Sequence, residues 1–393
     1  MNINSRVGGL LDDPWIQMFG FVGLVSGLFS VHYFLASARA RAAPQAPAAA
    51  TVSAAPAPAP AIPPAAASNP PAAGPAQAAP APKTPRRPGH WVVDTKLGPD
   101  ADTALIAEAV SNAVDGDIIL LKPGIYLGPL DITKSITIVG DGNVPGDARI
   151  DFSGPRTIDV SGGAPTFRNI ALSNEGAAGQ WVVVVTDARL VLKNVELRAS
   201  SQGIHVVNGQ LEAADSTLDA STALFVEGKS AVNVIGATAS GGEATIRADG
   251  PDVQLSLRHT TVRNSRDTAV AAANSAHVSL SEIQFHDDAD AIVAQSGSEV
   301  RVSHAVIEEN HGCGVTLSGG ATVILEQTRV ARDRCGVSFT GPGLLDVTDS
   351  EFDDLELGAL AIKPGIVGDV IVRGARNSGI KIPRKVAGVM SLK

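Results

Sequence analysis

Beyond His90 the chain alternates short apolar runs with Gly, Asn, Asp and Ser, and one pattern keeps returning: apolar, any, apolar, any four residues, apolar. It begins at Leu190, Leu211, Val232, Leu255, Val278, Val300, Val323 and Leu345, at steps of 21, 21, 23, 23, 22, 23 and 22 residues. A second apolar run follows within the units, often opened by Gly or Ala: GIHV at Gly203, ALFV at Ala223, AIVA at Ala291, GVTL at Gly314 and GVSF at Gly336. The period is too short for a propeller blade and lacks the helical spacing of TPR, ankyrin or HEAT repeats. Leucine-rich repeats match in length, but their asparagine-anchored signature is missing. The prediction is an all-β right-handed parallel β-helix solenoid. Alternate side chains point inward and coils stack at about 4.8 Å, so aliphatic residues pile on one another.

Ahead of the coils, Thr103 to Ala113 places Leu105, Ile106, Ala109, Val110 and Ala113 on one helical stripe, with Asp102 positioned as an N-cap. A short helix there would cap the open end of the solenoid, where strand edges are otherwise exposed. Further upstream, residues 15–36 contain no Asp, Glu, Lys or Arg. That is long enough to cross a bilayer as one helix. Its length and the acidic Asp12 and Asp13 argue against a signal peptide, although the ASARA stretch keeps cleavage as the competing reading. Arg6 before the helix and Arg39 and Arg41 after it leave orientation nearly undecided by charge. Linker and fold favour a periplasmic head on a single-pass protein of a bacterial inner membrane. Gly23 and Gly27 form a GxxxG that would let two helices pair as a homodimer. Residues 42–90 hold 20 Ala and 14 Pro, an extended linker with almost no bulky apolar side chains from which to build a core. The expected organisation is a tail at 1–14, a transmembrane helix at 15–36, a linker at 37–90, a β-helix at 91–382 and a tail at 383–393.

A net charge of −9 excludes a dominant phosphate-neutralising surface, so nucleic acid is not an expected partner. Two cysteines without CxxC or zinc spacing give no metal-thiolate motif, and no cofactor is expected.

The opening of the β-region, with ALIAEAV, GDIILLKPGIY, SITIVGDG and FRNIALSN from Phe167 to Asn174, resembles the pectin-lyase-like superfamily. It is most similar to the pectin methylesterases and the NosD-type carbohydrate-binding (CASH) β-helices, over residues 92–382. The resemblance implies the fold; activity does not follow from it. Gln180 and Gln202 match two esterase glutamines, but Gly203 follows Gln202, and Thr222 and Ala223 stand where the second aspartate belongs. Without both carboxylates, ester hydrolysis has neither nucleophile nor acid/base. Asn310-His311-Gly312 only partly echoes the polygalacturonase motif.

Stacking makes residues at one offset into neighbours, and three sets emerge. Asn194, Asp215, Gly236, His259, Glu282, His304, Gln327 and Asp349 form a polar ladder, read first as a turn satisfying backbone groups. Within it, His259, Glu282 and His304 are a candidate metal or pH-sensitive cluster. A charged edge follows in each unit. It offers Asp287, Asp288, Glu308, Glu309 and His311 as candidate catalytic groups, and Asp290, Arg332, Asp333, Asp353 and Asp354 as candidate ligand contacts. A solvated edge with weak ion pairs is its plainer reading. Cys313 and Cys335 occupy equivalent positions in adjacent coils, within disulfide reach if the domain is exported and otherwise two small buried thiols. The expected function is a membrane-tethered binding or assembly module for a polysaccharide or an envelope protein, with a polysaccharide lyase, hydrolase or esterase as the alternative.

Overall fold

The computed structural model describes residues 89–152, 157–174, 179–200 and 202–380, all within the unit formed by residues 79–393. The predicted anchor at 15–36, most of the linker and the tail at 383–393 lie outside the described residues. Among the described residues, no helix is long and apolar enough to cross a membrane.

Most coils are three short strands, because their sequence supplies alternating apolar residues only in brief runs; in two, the first and second strands run on as Thr166–Asn174 and Arg189–Ala199. Gln210–Ala214, Thr217–Asp219 and Thr222–Glu227 make one such coil. First and second strands join a 22-stranded sheet and third strands form an 11-stranded sheet, so the described residues hold eleven coils by their third strands. The repeat in the sequence becomes one vertical column. Leu190, Leu211, Val232, Leu255, Val278, Val300, Val323, Leu345 and Val372 pair in parallel register. A second column runs through Leu218, Ala239, Val262, Phe285, Ile307 and Val330. All are buried. At roughly 1.5–3 kcal/mol for each large aliphatic side chain removed from water, these columns carry the fold despite few aromatics.

The polar ladder is the corner between first and second strands. Asn194, Asp215, His259, Glu282, His304, Gln327 and Asp349 all have φ between 49° and 54°, and Gly236 has 66°. One left-handed residue turns the chain sharply enough for both flanking strands to keep their apolar residues inward. Asn, Asp and Gly accept that conformation most readily, which explains much of the ladder's composition. Gly203 answers a different need, since a Cβ there would lie 2.4 Å from the Ala223 carbonyl oxygen.

Near the start, helix Ile106–Asn112 buries Ile106, Ala109 and Val110 and packs on strands His90–Val93, Ile118–Leu121 and Leu130–Ile132. Asp102 does not cap it. Its Oδ2 accepts the Val92 amide at 2.8 Å, while the Thr103 hydroxyl accepts the Leu105 amide at 3.1 Å. Leu105, expected on the buried stripe, is exposed, because it sits at the extended N-cap position before the helical period begins.

Candidate functional site

The turn from second to third strand holds the charged edge, and it divides the candidate residues by direction. Asp287, Glu309, Arg332 and Asp354 occupy left-handed positions, φ 57°, 62°, 56° and 48°, and are exposed. The next residue in each of the first three turns points inside: Asp288, Asn310 and Asp333 are buried, as is Ser265 one coil earlier. These four form a hydrogen-bonded ladder. Asp288 Oδ1 accepts the Ser265 amide at 2.8 Å, Asn310 Oδ1 accepts the Asp288 amide at 3.0 Å, and Asp333 Oδ1 accepts the Asn310 amide at 2.8 Å. The Asn310 amide group also donates to Asp333 Oδ1 at 3.1 Å. Desolvation pushes the Asp288 carboxyl up to about 7, only partly countered by Ser265. Desolvation likewise pushes Asp333 up to about 7 against the hydrogen bonds from Asn310. Oδ2 of each is buried without a hydrogen-bond partner.

Three further edge carboxylates, Asp290, Glu308 and Glu309, are engaged. Asp290 Oδ1 accepts the Cys313 amide at 2.8 Å, and its Oδ2 accepts the Thr316 hydroxyl at 3.0 Å. Glu308 lies 2.7 Å from Arg332, 3.3 Å from Arg329 and 3.7 Å from His286, and Glu309 lies 2.9 Å from Arg332. His311 and Asp353 are exposed; the backbone of His311 donates to the Asp288 carbonyl, and the Asp353 carbonyl accepts the Arg332 amide. Glu308 and Glu309 are thus joined to the cations of their own edge.

His259 Nδ1 is 2.7 Å from Glu282 Oε2 in the next coil, and His304 is the next corner residue along. Among the described residues, no group of three or more His, Cys, Asp or Glu is arranged to hold a metal ion. Cys313 and Cys335 pair in register with Cα atoms 4.5 Å apart and are joined by a disulfide. Closing a loop of this length stabilises by about 3 kcal/mol in the chain-entropy model. The Cys313→Ser, Cys335→Ser double variant is expected to lower the chemical-denaturation midpoint by an equivalent amount; an unchanged midpoint would contradict it.

One further set does not stand out from the offsets. On the third strands Ile204, Val206, Leu224, Val226, Ile246 and Ala248 are buried. Strand alternation then turns His205, Phe225 and Arg247, which share one register position, outward. Trp181, from the preceding coil, reaches across to them. Ring centroids of Trp181 and His205 are 4.8 Å apart, His205 and Phe225 5.0 Å, Trp181 and Phe225 6.0 Å, with interplanar angles of 27°, 7° and 23°. The Arg247 guanidinium carbon sits 5.1 Å from the Phe225 centroid. Polar groups edge the cluster. His205 Nε2 is 3.0 Å from Glu227, Arg247 is 3.2 Å from Asp249, and Gln202 and Thr222 share the register position of Trp181. The paired histidine and arginine leave a half-buried aromatic plate with a hydrogen-bonding border and little net charge. The available signal was the spacing of His205, Phe225 and Arg247, 20 and 22 residues apart, but Trp181 joins from a different register position and breaks the pattern.

The chain matches the family model described as a right handed beta helix region over residues 202–378. Among solved structures, it is similar to the A-module of the Azotobacter vinelandii mannuronan C-5 epimerase AlgE6, at 13% identity and a TM-score of 0.52, covering 73% of this chain and 92% of that one. It is also similar to the polygalacturonase of Erwinia carotovora, at 12% identity and a TM-score of 0.52, covering 72% and 97%. DFA-IIIase from Arthrobacter chlorophenolicus A6, without its lid, matches at 14% identity and a TM-score of 0.50, covering 74% and 93%. At these identities the likeness is one of fold. No curated protein matches the sequence. The chain folds as a right-handed parallel β-helix.

Proposed function

We propose that this protein is a polysaccharide-binding β-helix that holds its ligand on the aromatic face of the third-strand sheet without turning it over. One observation carries the reading: the plate of Trp181, His205 and Phe225 bordered by Gln202, Glu227 and Arg247. Sugar rings present an apolar C–H face to an aromatic plane and hydroxyls to polar groups around it, which is the chemistry this surface offers. The structural neighbours' named activities on polysaccharides and related saccharides agree with that ligand class. The protein is further proposed to be anchored in a bacterial inner membrane by residues 15–36, with helix Ile106–Asn112 closing the N-terminal end of a periplasmic solenoid.

The enzymatic alternative, using Asp287, Asp288, Glu308, Glu309 and His311, draws on the raised Asp288 carboxyl, which has the proton affinity of a general acid. Its complete burial and the ion pairs of Glu308 and Glu309 weigh against it. Affinity electrophoresis of the full-length protein through gels containing alginate, polygalacturonate or β-glucan tests the binding reading. Trp181→Ala and Phe225→Ala are each expected to weaken retardation about tenfold, the scale of one lost stacking contact with its buried area. Unchanged retardation in both, retention only of an envelope protein, or release of sugar from any polymer would overturn the proposal.

A further inference from the structure

A groove of about 360 Å³ crosses the outer face of the first strands of five successive coils, on a sheet separate from the aromatic plate. The strands are Gln210–Ala214, Ala231–Ile235, Gln254–Arg258, His277–Ser281 and Glu299–Ser303. Inward residues of these strands belong to the buried Leu211 to Val300 column, so the alternate positions form the groove surface. Gln210 and Gln254 occupy one outward row; Asn233, Ser256 and Ser279 occupy the next. None of these five side chains has a hydrogen-bond partner among the described residues. The charges at the two ends are neutralised instead. Arg189 pairs with Glu212 at 2.6 Å, Arg301 pairs with Glu299 at 2.6 Å, and His277 lies 3.6 Å from Glu299.

Three properties of this surface select an occupant. Its backbone groups are already paired in the sheet, so an extended peptide, which adds to a sheet edge, finds no template. Its cations are already matched by carboxylates, so a polyanion gains little. Its unpartnered amides and hydroxyls recur on four successive coils, from Gln210 to Ser279, at about 4.8 Å per coil over a span of roughly 14 Å. An extended, diequatorially 1,4-linked pyranose polymer advances by nearly that spacing at each sugar.

We propose that this groove is a second saccharide site, taking a neutral, extended, linear glycan laid along the solenoid axis with one pyranose per coil. It stands independently of the aromatic face, because it lies on another sheet and shares no residue with it. Two such faces would let one molecule engage two glycan chains, or two stretches of one chain, and gain avidity from doing so.

The test is titration of the full-length protein with cello-oligosaccharides of two to seven units, followed by calorimetry. Affinity is expected to rise with length up to about five units, one for each coil of the groove, and then level off. Titrations are made in a Trp181→Ala background, which removes the aromatic face, and there Ser256→Trp, which fills the groove, is expected to reduce the remaining binding at least tenfold. Should Ser256→Trp fail to fold, the Asn233→Ala, Gln254→Ala double variant removes two exposed amides and is expected to lose about thirtyfold, from two hydrogen bonds of about 1 kcal/mol each. Binding without length dependence, binding insensitive to the groove variants, or preference for polygalacturonate at the groove would each overturn the proposal. Complete loss of binding on Trp181→Ala alone would assign the oligosaccharides to the aromatic face and end the second site.

Discussion

At pH 8 the Asp288→Asn, Asp333→Asn double variant is expected to be more stable than the wild-type protein, and near pH 4 the difference is expected to disappear. Both carboxyls are buried and sit at about 7 in the folded chain, raised first of all by desolvation. In the unfolded chain an aspartate titrates near 3.9. Below about 4 both states hold the proton and pH has no effect through these groups. Between about 4 and about 7 the folded state binds more protons than the unfolded one, so wild-type stability falls as pH rises; above about 7 it levels off. At 1.36 kcal/mol per unit the loss approaches about 4 kcal/mol for each carboxyl, an upper bound. Asparagine removes the titration while keeping the ladder. Asn310 already shows the geometry, its Oδ1 accepting the amide of one neighbouring coil and its Nδ2 donating to the other. Urea melts at pH 4, 6 and 8 read the effect directly, and parallel pH slopes for the two proteins would defeat the assignment.

Phe285→Ala is expected to cost about 3–5 kcal/mol, since it empties a fully buried aromatic position between Val262 and Ile307 in the second-strand column. In a solenoid each coil touches only its neighbours, so damage is not shared across a common core. The break should therefore separate the coils before Phe285 from those after it, and the denaturation curve should broaden or divide. Hydrogen exchange is expected to show protection falling first in strands Thr261–Arg263 and Val306–Glu308, which flank the site. A loss below about 1 kcal/mol with a single sharp transition would mean that the rungs relax around the cavity and that stacking is not the dominant interaction.

The columns behind this prediction were legible in the chain, because an apolar side chain has one acceptable destination and a period of about 22 leaves one way to stack it. The corner ladder was legible too: Asn194, Asp215 and Gly236 are residue types that accept a left-handed turn. Asp287 and Asp288 were not separable. They are adjacent and chemically identical, yet one faces solvent and the other the core, because a left-handed residue at 287 reverses the direction of the next side chain. The capping role of Asp102 failed for a similar reason, as the nearby strand offered its carboxylate the Val92 amide first.

By itself the sequence determined the solenoid, its rung length and the register of its aliphatic interior, all consequences of burying a periodic set of side chains. Tertiary structure alone decided which polar groups face water, which pair with one another, and that Trp181 leans onto His205 and Phe225 to make a surface. Those outcomes depend on side-chain direction at single turns and on contacts across coils. Spacing along the chain records neither, because polar residues tolerate several environments whereas apolar ones accept only the core.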